Sequence, residues 1–255
     1  VAFGARNNLA DNFAAAETAY RAALALQQKA LGNANPDTVN AMMSLALQLS
    51  DQQRFSEADT LFRQAEPLAA KATDKAALAR LWHYEALNAL NQGRNAQALA
   101  LLERADARYA SLVPPDSLSG TSSPAAGFAS NATQTQADAP VTDTQLMVDP
   151  TAQSSLMGLI EVRRYKAIVL RLLGRPAEGA AAIDSAETLA RTNRMLVPLV
   201  AARLTRTAGN IDAASGESGA TAALARSQQN FSDVLPQTRP VAETLAILVR
   251  DGTVE

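Results

Sequence analysis

The chain has 255 residues, with 23 Lys and Arg against 25 Asp and Glu. A net charge of −2 argues against a dedicated nucleic-acid binder, which carries a basic excess, and no apolar run approaches the ~20 residues that cross a bilayer. With no Cys and a single His, the sequence excludes disulfides, thiolate metal sites, cysteine nucleophiles and multi-histidine metal sites.

Alanine contributes 55 residues and leucine 32, whereas aromatics make up only 4%. Alanine is the best helix former and aromatics favour strands, so the expected fold class is all-α. The chain opens Val1-Ala2-Phe3, without Met or a basic-then-apolar leader, and reads as cut from something longer. The first expected helices cover 3–8 and 12–31. At Asn35-Pro36, Asn35 suits a helix cap and Pro36 the first helical position, where its missing N–H costs nothing. The next helix, 36–52, carries Met42, Leu45, Ala46 and Leu49 at i, i+3, i+4 and i+7, one apolar face. Its partner, 55–72, restates an earlier segment: Phe13-Ala14-Ala15-Ala16-Glu17-Thr18-Ala19-Tyr20-Arg21 lies against Phe55-Ser56-Glu57-Ala58-Asp59-Thr60-Leu61-Phe62-Arg63 at a shift of 42 residues. A third copy opens at Gly93-Arg94-Asn95, giving helices over 74–91 and 95–111.

Between Arg108 and Arg163 there is no Lys or Arg, and 114–148 is rich in Ser, Thr, Ala, Pro and Asp. Such a segment buries too little apolar surface to offset its ordering entropy, so it is expected as a flexible insertion without long regular structure. A lid or docking strand anchored by Phe128, Leu146 and Met147 is the alternative. Helix resumes at Asp149-Pro150 and is expected over 150–173, with Val162, Tyr165, Val169 and Leu172 at helical spacing. Gly174-Arg175-Pro176 opens a fourth copy over 177–192. A fifth pair is expected over 195–208 and 217–231, followed by a fresh helix from Thr238 that stops at Asp251-Gly252. In each unit the small Ala16, Ala58 or Ala98 lets two helices approach, and the bulky Tyr20, Phe62, Leu102 or Ile183 fills the space between them.

The turn followed by an aromatic and then Ala, with small-then-bulky spacing, resembles the tetratricopeptide repeat (TPR). The 42-residue period and Leu31-Gly32-Asn33-Ala34-Asn35-Pro36-Asp37-Thr38 are similar to the longer variant of kinesin light chains and many bacterial proteins. The resemblance implies a right-handed superhelical solenoid of antiparallel helix pairs interrupted by the insertion. Its expected organisation is repeats 1–3 over 1–112, the insertion over 113–149, repeats 4–5 over 150–235, and the first helix of a truncated further repeat over 236–255. Asn95 and Pro176 depart from the turn aromatic, Gly179 from the small Ala, and Glu85 falls where a core residue is expected. A stretch from Phe231 to Leu245 is similar to the repeats preceding CHAT domains, caspase-like cysteine peptidase domains. That likeness implies a regulatory or recognition role for this part and places any Cys–His dyad outside it.

No phosphate-cradling glycine loop or nucleophile elbow is present, and His83 beside Trp82 is the one residue a catalytic search would stop at. An all-α enzyme using His83 is the third alternative; a solvated or groove-facing histidine is the simpler reading, and no catalytic, cofactor or metal residue is assigned. In a solenoid the first helix of each pair lines the concave surface. The positions there that face away from the core are Asn40, Met43 and Leu47, then Arg80, His83, Leu87 and Asn91, then Arg164 and Arg171, then Leu199, Arg203 and Arg206. The expectation is a non-catalytic scaffold whose groove binds a protein or peptide, acidic ones among the candidates, with neither nucleic acid nor membrane insertion. No Lys occupies these positions, which sets the groove apart from the carboxylate clamp of chaperone-type TPRs. The compartment, cytoplasmic or periplasmic, stays open.

Overall fold

The computed structural model describes residues 13–119, 150–193, 195 and 198–213. Among them the chain forms α1 (Phe13–Leu31), α2 (Pro36–Asp51), α3 (Phe55–Lys71), α4 (Ala77–Asn91), α5 (Asn95–Ala110), α6 (Pro115–Ser119), α7 (Pro150–Leu172), α8 (Pro176–Thr192) and α9 (Pro198–Ala213), and no strand. The expected helices at 3–8, 217–231 and beyond 238 lie outside the described residues, as do 120–149.

The packing follows chain order. α2 pairs with α3, α4 with α5 and α7 with α8, while each first helix also touches the next along the row α2, α4, α7, α9. α5 packs extensively on α7, so the stack runs on across the insertion. The buried side chains fall into two clusters that meet on α4. Ala77 and Leu81 belong to the cluster of α1–α3, whereas Ala76, Ala79, Ala86 and Ala89 belong to the one reaching Ile211 on α9. This is the arrangement of a stacked repeat, in which each unit is buried only by its neighbours.

Sequence explains the local structure. Asn35 caps α2 by accepting from the backbone N–H of Asp37, with Pro36 opening the helix. The three turns inside the pairs share one hydrogen-bond pattern. Gln53 N–H donates to the Ser50 carbonyl and Arg54 N–H to Leu49, Gly93 to Leu90 and Arg94 to Ala89, Gly174 to Arg171 and Arg175 to Leu170. This is the Schellman ending, and it needs a left-handed residue one step before the arginine. Gly93 and Gly174 supply it at φ 71° and 74°, whereas Gln53 adopts φ 61° with a side chain attached. The arginines then open the second helices, and Arg54 and Arg175 each grip the carboxylate three residues on, Glu57 and Glu178, through two nitrogens.

The small positions work as the pattern predicts. Ala58, Ala65 and Ala98 are fully buried, and Phe62, Leu102 and Ile183 fill the gaps beside them. Gly179 departs from alanine for a reason: a Cβ there would sit 3.1 Å from the Ala167 carbonyl oxygen, so α8 lies closer on α7 than a methyl group allows comfortably. The turn position of Phe55, Asn95 and Pro176 is only half-buried, which explains why an aromatic is dispensable. Gly158 on α7 is a second close approach, since an added Cβ would fall 2.4 Å from a ring carbon of Tyr109 on α5. The start of the expected insertion belongs to the folded body. Val113 is buried, α6 touches α8, and Asn193 donates to the Ser117 carbonyl.

Candidate functional site

The residues expected to line a groove come from α2, α4, α7 and α9, the four first helices that contact one another in sequence. Many of them link neighbouring helices. Arg80 on α4 donates to Asn40 on α2 and pairs with Asp74 at 3.0 Å. Asn91 at the end of α4 donates to Ser50 and Asp51 on α2. The His83 ring lies 5.4 Å from that of Tyr165 on α7. Glu161 joins α7 to α9, receiving Arg164 of its own helix through one oxygen at 2.8 Å and Arg203 of α9 through the other at 3.3 Å.

Two assignments need correction. Met43 has no exposed surface, because the middle of α2 is enclosed by α1, α3 and α4, and it packs with Leu45 and Leu49 in the core. His83 is also buried, with 8% exposure, and its Nε2 has no partner among the described residues. Burial lowers its pKa to about 4 against an upward pull from Glu161, with a smaller downward push from Arg164, so the ring is neutral near neutral pH. A buried, neutral histidine between two tyrosine rings packs the α4–α7 seam and offers nothing to a groove ligand.

The others are accessible in differing degree. Leu47 and Leu87 are half-buried, Asn40 and Arg80 are half-buried within their polar contacts, and Asn91 is exposed. Arg164 is largely covered, its side chain 11% exposed and its guanidinium 4.1 Å over the Tyr165 ring. Arg203 is half exposed. Arg171 and Arg206 carry no ion pair among the described residues and are the two uncommitted cations of the row. The side chain of Leu199 lies outside the described residues. Glu161 and Tyr165 join the row without having been expected there. Glu161 stands three residues before Arg164 on one helix face, a spacing that favours an ion pair and is legible in the sequence. Its second partner, Arg203, comes from another helix and is not.

A second polar locality lies on a different face of α4. Asp59, Phe62 and Arg63 of α3, Glu85 and Asn88 of α4, and Arg94, Gln97 and Leu101 around α5 line a cavity of about 240 Å³. Glu85, the misfit of the repeat pattern, is half-buried there, and burial together with Glu66 and Asp59 raises its carboxyl to about 7 against the pull of Arg104. Among the described residues no group of three or more His, Asp or Glu could hold a metal ion, and no helix is long and apolar enough to cross a membrane.

No family model and no curated protein matches this sequence. Solved structures do. The nearly identical TPR-like repeats of a kinesin-light-chain-type protein from Podosopora anserina, and a single-substitution variant of them, superpose with a TM-score of 0.56 at 16% identity, covering 90% of this chain and 92% of that one. BtubC (BKLC) from P. vanneervenii superposes with a TM-score of 0.57 at 15% identity, covering 89% of this chain and 74% of that one. The chain is therefore similar in fold to TPR-like repeats of the kinesin light chain kind, a helical repeat solenoid.

Proposed function

We propose that this chain is a non-catalytic scaffold that binds a protein or peptide along the face formed by α2, α4, α7 and α9. The observation that supports the reading is the contact of each of these four helices with the next, which would bring their outward side chains into one row. Folds of this kind generally act as interaction scaffolds, and stacked first helices are the surface they offer. Leu47 and Leu87 supply apolar contact in the first half of the row, and Arg171 and Arg206, without an ion pair among the described residues, supply charge in the second. Arginine's planar fork suits carboxylates, so an extended segment with acidic groups toward one end is the favoured partner. Arg203 would exchange its 3.3 Å contact with Glu161 for a carboxylate of the partner. A regulatory role beside a caspase-like domain rests on residues 231–245, which lie outside the described residues.

The test is fluorescence anisotropy with a labelled Asp/Glu-rich peptide carrying one leucine. The chain is compared with its Arg171→Ala/Arg206→Ala and Leu47→Ser variants at low and high salt. The charge variant should bind more weakly and lose most of its salt dependence, because screened surface charges act mainly on encounter. Equal affinity and an equal salt slope for both variants would remove the case for this face.

A further inference from the structure

The cations of this chain are unevenly matched. Arg54 is engaged by Glu57 and Glu17, Arg80 by Asp74, Arg163 by Asp106, and Arg164 and Arg203 by Glu161. Where α3 ends, α4 begins and α5 finishes, four cations lack any such partner. Lys71 closes α3, Lys75 stands just before α4, and Arg104 and Arg108 are one turn apart on α5. None of the four makes an ion pair among the described residues. The one carboxylate of the intervening loop, Asp74, is occupied by Arg80 and by the Ala76 N–H. Lys71, Lys75 and Arg104 are exposed, and Arg108 is half-buried.

Both guanidinium groups are held by neutral partners. Arg104 lies 4.2 Å over the ring of Trp82 on α4, and Arg108 donates through one terminal nitrogen to the Lys75 carbonyl at 3.2 Å. Stacking on an aromatic face fixes the plane of a guanidinium and leaves the N–H groups in that plane free for an acceptor. Trp82 follows Arg80 by two residues and so projects about 200° around α4 from it. The cluster therefore lies away from the row formed by α2, α4, α7 and α9.

We propose that this corner is a second docking surface, and that its partner is an acidic stretch of a protein chain whose successive carboxylates are taken by Lys75, Arg108 and Arg104. One helical turn separates the two arginines by about 6 Å along α5. Alternate side chains of an extended segment are ~7 Å apart, so carboxylates at i and i+2 meet one guanidinium each. Planar forks suit carboxylates, and flanking Lys71 and Lys75 add charge that speeds encounter. A long polyanion such as a nucleic acid fits less well. The whole chain carries a net charge of −2, and on the far side of Arg104 stands Glu85, with Glu66 near it.

Trp82 is the single tryptophan of the chain, so its fluorescence reports on this corner alone. The whole chain is titrated with an unlabelled octaglutamate peptide at low and high salt. Trp82 emission should change saturably at low salt, and high salt should abolish the change. Lys71→Gln/Lys75→Gln alters only exposed side chains and leaves the contact of Arg104 with Trp82 in place; it should bind roughly fivefold more weakly. Arg171→Ala/Arg206→Ala, altered in the row instead, should titrate like the parent chain, which separates this surface from that one. No change in emission up to about 1 mM peptide would overturn the proposal. So would an unchanged midpoint in the lysine variant, or a loss confined to the Arg171/Arg206 variant. Tighter binding of an oligothymidylate of matched charge would assign the corner to nucleic acid and overturn it as well.

Discussion

Replacing Gln53 by glycine should stabilise this protein, although no contact is gained. Gln53 holds φ 61° at the turn between α2 and α3, where the equivalent residues of the next two pairs are Gly93 and Gly174 at 71° and 74°. All three turns carry the same two backbone hydrogen bonds. The glutamine side chain is exposed and makes no hydrogen bond among the described residues, so truncating it sacrifices nothing in the folded state. Left-handed backbone costs a residue with a Cβ roughly 1–2 kcal/mol. Against this, glycine brings extra freedom to the unfolded chain worth about 0.4–1 kcal/mol. The net expectation is a gain of about 0.5–1 kcal/mol, or roughly 1–4 °C in Tm for a chain of this size. The assay is urea unfolding followed by circular dichroism, with a higher midpoint at unchanged slope. Gly93→Ala is the mirror experiment. Nothing lies within 4 Å of the added Cβ, so any loss comes from backbone strain and not from a clash. It should lose about 1 kcal/mol. If Gln53→Gly is neutral or destabilising while Gly93→Ala is harmless, the strain argument fails.

Three further outcomes follow from packing and titration. Gly158→Ala should cost about 1–3 kcal/mol, because its Cβ would fall on the Tyr109 ring, and pairing it with Tyr109→Leu should recover part of that loss in a double-mutant cycle. Ala58→Arg should cost about 3 kcal/mol or more, since the position is fully buried and the charge would have no partner; a melting curve unchanged from that of the parent chain would contradict the assigned register. His83 is neutral when folded, with a pKa near 4 against 6.5 unfolded, so the unfolded state binds the extra proton first. Its contribution to stability is complete above about 6.5 and is lost as pH falls toward 4, on the order of 3 kcal/mol in all. Glu85 has the opposite sign, because its folded pKa is raised: its contribution is complete below 4.5 and is lost as pH rises through about 7. Urea midpoints across pH 4–8 should therefore flatten on the acid side in His83→Phe and on the alkaline side in Glu85→Gln.

Among the described residues, the sequence by itself determined the helices, their pairing and the small-to-large contacts around Ala58, Ala98, Phe62 and Leu102. These depend on neighbours three or four residues away or across one short turn, and Ala58, Phe62 and the Asn35 cap behave as their spacing requires. It also marked Glu85 and Gly179 as irregular without giving a reason. Tertiary structure supplied both reasons, a cavity wall for the half-buried Glu85 and, for Gly179, a backbone oxygen 3.1 Å from where a Cβ would sit. It also decided which polar residues of the first helices stay free. Helical periodicity places Met43 and His83 away from the face packed on their own second helix, but α1, α4 and α7 approach from other directions and cover them. Glu161 could be matched to Arg164 within one helix, whereas its bond to Arg203 depends on how α9 stacks on α7. A helical pattern records only that a side chain points away from one neighbour. Burial, pKa and free charge depend on every helix around it, and stacking in space sets those.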